Sequence, residues 1–187
     1  MLKNYISIMR GALPAALLLL SASLAAQTTA SGVINGKLIN KDGISLVFDT
    51  DPAGVTLGAA GTSAASANFG NVSAFGPLSA GVTRPSVTAA NFTVRTIFDV
   101  QVTQGGLNST GYTLAANLAA VAPTGFSYKV DAVTLTTVSQ TIQANGTYNT
   151  DVPHNLDLVI STAAPGGGGP AVNTPITVTI NFLATAN

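Results

Sequence analysis

The only histidine of the chain, His154, is the first residue to consider for catalysis. Hydrolysis by a serine nucleophile needs a histidine base, an orienting carboxylate and a nucleophile held on a shaped turn. The sequence contains no G-x-S-x-G motif, no cysteine and no second histidine. It also lacks an evident carboxylate pair for glycoside hydrolysis. We therefore expect no catalytic residue, and we interpret His154 as part of a turn before a strand at Leu156.

Two aspartates and a glycine resemble the opening of a calcium-binding loop. Asp49 and Asp51 occupy its first and third positions, and Gly54 occupies its sixth. The twelfth position is Ala60, so the bidentate carboxylate that such a loop requires is missing. Asp followed by Pro and Gly is ordinary turn chemistry. We therefore predict a turn at 51–54, with no metal and no cofactor.

The first 26 residues have the three parts of a secretory signal peptide. Lys3 and Arg10 form a positive region, an apolar stretch follows at 11–24, and cleavage fits after Ala25 or Ala26. The stretch is shorter than the roughly 20 apolar residues of a membrane-spanning helix. The sequence predicts a signal peptide at 1–26 and a mature chain at 27–187 without a transmembrane segment. The expected location is extracellular, as a secreted or cell-surface protein.

The mature chain carries little charge. Five basic residues against seven aspartates leave a formal charge of about −2, and no basic patch exists to bind nucleic acid. The length fits one domain that can form a core without disulfides. Abundant Thr and Val favour strands, Gly, Asn and Ser favour turns, and strong helix formers are scarce. These features predict an all-β protein.

Alternation of apolar and polar residues marks the strands. It is clearest at 92–103 and 176–184, where every second side chain is apolar with few exceptions. Weaker strands are predicted at 44–48, 112–118, 126–130, 134–142 and 156–160. Two loops are predicted at 58–68 and 165–170, because Gly, Ala, Ser and Pro give those segments little to bury.

Several short motifs in the second part of the chain suggest a family. They are Phe69-Gly70, the alternating strand at 92–102, Tyr112-Thr-Leu114, Gly146-Thr-Tyr148 and the alternating segment at 176–182. Together they resemble the spore coat U-like secreted domains and chaperone–usher pilins over about residues 68–187, although those families commonly carry a disulfide. The resemblance implies a single immunoglobulin-like, pilin-like antiparallel β-sandwich of about 7–9 strands, whose missing strand comes from a neighbouring subunit.

A candidate donor strand lies at 27–40, near the mature N-terminus. Ile34, Gly36 and Leu38 share one face next to Val33, whereas Asn35 and Lys37 lie on the other face. An extended segment of this kind can pair with an exposed sheet edge and insert alternate side chains into a groove. The alternative is that the segment is the first strand of a self-complete sandwich.

Three functions are compatible with these features. We expect a structural subunit of a bacterial surface filament, pilus or coat, which self-associates into a homo-oligomer or filament. The alternative is a secreted cell-surface binding or adhesion module, although the sequence has no Trp and few other aromatic residues. A secreted hydrolase fits least, because the chain has a single histidine.

Overall fold

The computed structural model describes residues 43–162, 170–171 and 173–187. The predicted signal peptide and the candidate donor strand, with Val33, Ile34, Gly36 and Leu38, lie outside these residues, as do the four glycines of the predicted loop at 165–170. The regular structure in the described ranges is entirely β, and no helix there is long and apolar enough to cross a membrane. The strands are β1 Gly43–Asp49, β2 Thr83–Val87, β3 Asn91–Gly105, β4 Tyr112–Leu118, β5 Phe126–Val130, β6 Val133–Thr134, β7 Gln140–Gly146, β8 Asp151–Ser161 and β9 Ile180–Ala186.

These strands form two packed antiparallel sheets. The large sheet has the order β1-β3-β8-β5-β6, with β2 also pairing with β3, and the small sheet has the order β7-β4-β9. The central strand β3 pairs with β8 from Asn91 to Gln101. The prediction of an all-β protein is therefore confirmed at the level of two antiparallel sheets.

The alternation predicted at 92–103 is confirmed in β3, where every even-numbered side chain from Phe92 to Val102 is buried. Thr96 is the polar member of this row. Its hydroxyl accepts a hydrogen bond from the Val55 amide (2.9 Å) and donates one to the Gly81 carbonyl (3.0 Å). Because both roles of the hydroxyl are filled, burying it does not carry the penalty of an unsatisfied polar group.

The single strand predicted at 134–142 is wrong, because the chain changes sheets there. Strand β6 ends at Thr134 in the large sheet, and β7 begins at Gln140 in the small sheet. Leu135, which is buried, donates its amide to Tyr128 of the large sheet. The next residue, Thr136, accepts from the Leu118 amide of the small sheet. Alternation in the sequence does not reveal where the chain passes from one sheet to the other. Extended residues before and after that point alternate with the same period of two.

The turn predicted around His154 is also wrong. His154 lies within β8, paired with Phe98 of β3. Pro153 suggested a break, but β5 pairs with β8 only from Leu156 onward. At Pro153, the side of β8 that faces β5 further along the strand therefore has no ladder with β5. A proline, which has no amide hydrogen to donate, is tolerated there as it is at a sheet edge.

The final strand begins later than predicted. The ladder with β4 starts at Ile180, although side chains continue to alternate between half-buried and exposed back to Ile176. The predicted strands at 44–48, 112–118 and 126–130 are confirmed, and the strand predicted at 156–160 is the second half of β8. Strand β2 was not predicted.

Candidate strand-acceptor groove

A groove of about 1000 Å³ opens between the two sheets. Its floor is the inner face of the large sheet, where Phe48, Phe98, Tyr128, Leu156 and Leu158 line it. Segment 63–72 forms one wall, and segment 173–182 forms the other. Such an apolar floor is suited to a partner that brings apolar side chains.

The wall at 173–182 contains an extended segment that belongs to no sheet. Ile176 and Val178 are half-buried against the core and continue the row that Ile180 and Phe182 form in β9. The Thr179 carbonyl accepts the Ala119 amide at 2.9 Å, on the β4 side of the strand. Within the described residues, β9 pairs only with β4.

Over most of its length, the outer edge of β1 has no partner among the residues that the structure describes. Phe48 uses both its backbone amide and its carbonyl on this edge, toward Thr62 (2.9 Å) and Gly61 (2.8 Å). Because backbone groups alternate in direction along a strand, Ile44 and Leu46 point theirs to the same edge. No described residue pairs with them there. We call the boundary between β1 and β9, which form no ladder with each other, the seam.

The predicted loop at 58–68 is irregular and largely exposed, as expected, but it also supplies part of a groove wall. Gly58 and Ser66 pair across it, and a Cβ on Gly58 would lie 2.6 Å from the Ser66 hydroxyl oxygen. The Phe-Gly motif follows, and Phe69 packs half-buried against the core. The composition predicted exposure correctly but gave no sign that this loop faces the groove.

Tyr128 is the polar residue of the groove floor. It is 3% exposed, and its hydroxyl has no hydrogen-bond partner among the described residues. Burial raises the pKa of this phenol, which keeps the hydroxyl protonated. It can therefore donate a hydrogen bond to a carbonyl that enters the groove. The sequence identified Tyr128 only as an inward residue of a strand.

His154 holds a turn in place. Its Nδ1 lies 2.5 Å from one carboxylate oxygen of Asp131, and the other oxygen accepts the Asn155 amide at 2.8 Å. Burial favours a higher pKa for Asp131, but the hydrogen bonds from His154 and Asn155 outweigh it, and the pKa is lowered. Asp131 and Ala132 both have positive φ in the turn between β5 and β6. The contacts of Asp131 thus tie this turn to β8.

Acidic residues gather around Asp99. Asp49 is its cross-strand partner, and burial together with the charges of Asp51, Asp151 and Asp49 raises the pKa of Asp99. The predicted turn at 51–54 is confirmed, because Asp51 accepts the amides of Ala53 (2.6 Å, side chain) and Gly54 (3.0 Å, backbone). The part of the chain that the structure describes contains no group of three or more His, Cys, Asp or Glu suited to a metal ion.

No family model matches the chain, and no curated protein matches it.

Proposed function

We propose that this protein is a secreted structural subunit of a bacterial surface filament, pilus or coat. In this proposal the domain is an immunoglobulin-like, pilin-like sandwich that lacks one strand, and a neighbouring copy supplies it. The observation that carries the proposal is the seam, where the outer edges of β1 and β9, largely without partners among the described residues, border an apolar groove. Exposed edges are templates for pairing with another chain, and proteins usually cover them.

The candidate donor is the segment at 27–40, since an extended peptide that joins a sheet edge gains backbone hydrogen bonds and inserts every second side chain. In this segment Ile34, Gly36 and Leu38 share the face that would enter the groove, and Asn35 and Lys37 would remain outside. The apolar face fits a floor made of aromatic and leucine side chains.

The charge and composition agree with an assembly role. A chain with a formal charge near zero has little long-range repulsion between copies. The predicted signal peptide would deliver it outside the cell.

Electron microscopy of the mature chain (27–187), beside an unboiled denaturing gel, tests this function. Filaments and a ladder of oligomers are expected, and deletion of 27–40 should abolish both. A monodisperse monomer at every concentration would contradict the proposal and favour a surface binding module instead.

A further inference from the structure

We infer that the groove also binds a small molecule of one chemical class, an uncharged long-chain acyl ester. Its carbonyl would accept a hydrogen bond from Tyr128, and its chain would lie along the floor. This site goes beyond the proposed function, because it needs neither a neighbouring copy nor the segment at 27–40. The residues that form it belong to the described part of the chain, between Phe48 and Phe182.

The floor is a diagonal row of inward side chains across the large sheet. The row runs through Phe48 of β1, Phe98 of β3, Leu156 of β8 and Tyr128 of β5. These four strands are adjacent, and their registers shift the row by two residues from each strand to the next. Three strand spacings and six residues along the strands give the row a length of about 25 Å. A floor of this shape suits an extended, linear molecule.

The groove is large enough for a whole ligand of this kind. Its volume of about 1000 Å³ is at the upper end of the range of small-molecule sites, which is roughly 300–1000 Å³. Because backbone N–H and C=O groups point along the plane of a sheet, the floor presents only side chains. An acyl chain needs no backbone partner, and its burial against apolar side chains is favourable in itself.

The lining of the groove favours a ligand without charge. Among the described residues that line it, none is charged. The polar side chains of the two walls are all Asn, Ser or Thr. An ionised carboxylate on the floor would lose its water without a cation to pair with, which is costly. The groove should therefore bind an ester in preference to the fatty-acid anion of the same length.

Tyr128 supplies the polar contact on the floor. Its hydroxyl is buried and has no hydrogen-bond partner among the described residues, and burial raises its pKa, which keeps it protonated. A carbonyl oxygen beside it would remove the cost of an unsatisfied buried donor. Tyr112 also has a buried hydroxyl without such a partner, but it does not line the groove. It therefore offers a matched control.

Displacement of Nile red, an uncharged dye that fluoresces in apolar surroundings, tests this inference on dilute mature chain (27–187). We expect methyl laurate to displace the dye. Laurate, which has the same chain but an ionised carboxylate, should bind at least about tenfold more weakly. Dodecane, which has no hydrogen-bond acceptor, reports the apolar contribution alone.

Tyr128→Phe should weaken the binding of methyl laurate about three- to tenfold, the effect of one hydrogen bond. It should leave the binding of dodecane unchanged, which also shows that the groove of the variant is intact. Tyr112→Phe should change the binding of neither. The ligand site would be overturned if methyl laurate failed to displace the dye, if laurate bound as tightly, or if both substitutions had the same effect.

Under the proposed function, the ester and the inserted strand would compete for the floor near Phe48. Saturating methyl laurate should then lower the yield of filaments at a fixed protein concentration. Binding of the ester without any loss of filaments would support the ligand site and overturn strand insertion over this floor. Filaments without any binding of the ester would overturn the ligand site and leave the proposed function standing.

Discussion

The rings of Phe48 in β1 and Phe182 in β9 meet edge to face, with centroids 5.1 Å apart. Phe98 contacts both, at 6.1 Å from Phe48 and 5.8 Å from Phe182. These rings join the edge strand of the large sheet to the edge strand of the small sheet. The two edge strands are thus joined by side chains, since no ladder links β1 to β9 in the described part of the chain.

Removing one ring of this cluster should destabilise the domain. Phe182→Ala is expected to lower the free energy of unfolding by about 2 kcal/mol, less than for a fully buried Phe because Phe182 is half-buried. Its neighbour Leu183 is 61% exposed, and Leu183→Ala should change that free energy by less than about 0.5 kcal/mol. Urea unfolding of both variants checks this, and equal effects would show that the cluster does not join the sheets.

Loss of the charge on Asp131 should release the turn between β5 and β6. Asp131→Asn is expected to cost about 1.5–3 kcal/mol at neutral pH, the range for hydrogen bonds to a charged group. Because the pKa of Asp131 is lowered by folding, its contribution is present above the unfolded value of about 4 and is lost as pH falls through the folded value.

The measurement is urea unfolding of wild type and Asp131→Asn at pH 7 and across the acid range. The difference between them should shrink at pH values below about 4. A difference that stays constant down to the acid limit would mean that the carboxylate charge is not what holds the turn.

Asp99 should show the opposite behaviour. Its pKa is raised by folding, so the native state retains a proton that the unfolded chain has lost, and stability falls as pH rises through that window. Asp99→Asn should therefore stabilise the protein at pH 7, by about 0.5 kcal/mol for relief of opposed like charges, and have no effect near pH 2. A loss of stability at pH 7 would contradict this account.

The sequence was sufficient to predict the strands in which one face is buried. In β3, the regular alternation from Phe92 to Val102 predicts the buried face, and the strand predicted at 92–103 lies within two residues of the observed Asn91–Gly105 at each end. The sequence did not predict features that depend on which strands lie side by side. His154 looked like a turn residue because Pro153 precedes it, and only the position where β5 stops explains why β8 tolerates that proline.

The groove could be anticipated only as a consequence of the family resemblance. Its floor joins Phe48, Tyr128 and Leu156, which lie on three different strands. Alternation predicts the face of each residue but not which strands are adjacent. Composition predicts a surface loop at 58–68, which covers only the first part of the wall at 63–72, and nothing in its small residues indicates what it borders.

The unpaired hydroxyl of Tyr128 offers a test of strand insertion. If it donates to an inserted backbone carbonyl, Tyr128→Phe should lower the free energy of unfolding of the mature chain by about 1 kcal/mol. In a chain that lacks 27–40, the same change should be neutral or stabilising, because it removes a buried donor without a partner. Urea unfolding of the mature chain and of the chain that lacks 27–40, each with and without Tyr128→Phe, measures how far the effect of this change depends on the segment. An equal effect in both chains would mean that the inserted strand does not contact the Tyr128 hydroxyl.

The most direct test of the central claim compares the assembly of Gly36→Val with that of Lys37→Val. Electron microscopy and unboiled denaturing gels follow the assembly of both variants. Gly36 lies on the face that would enter the groove near the Phe48 and Phe182 rings, whereas Lys37 lies on the opposite face. We predict that Gly36→Val remains folded by circular dichroism but forms no filaments, and that Lys37→Val assembles like wild type. Filaments of normal length and yield from Gly36→Val would contradict strand donation by this segment.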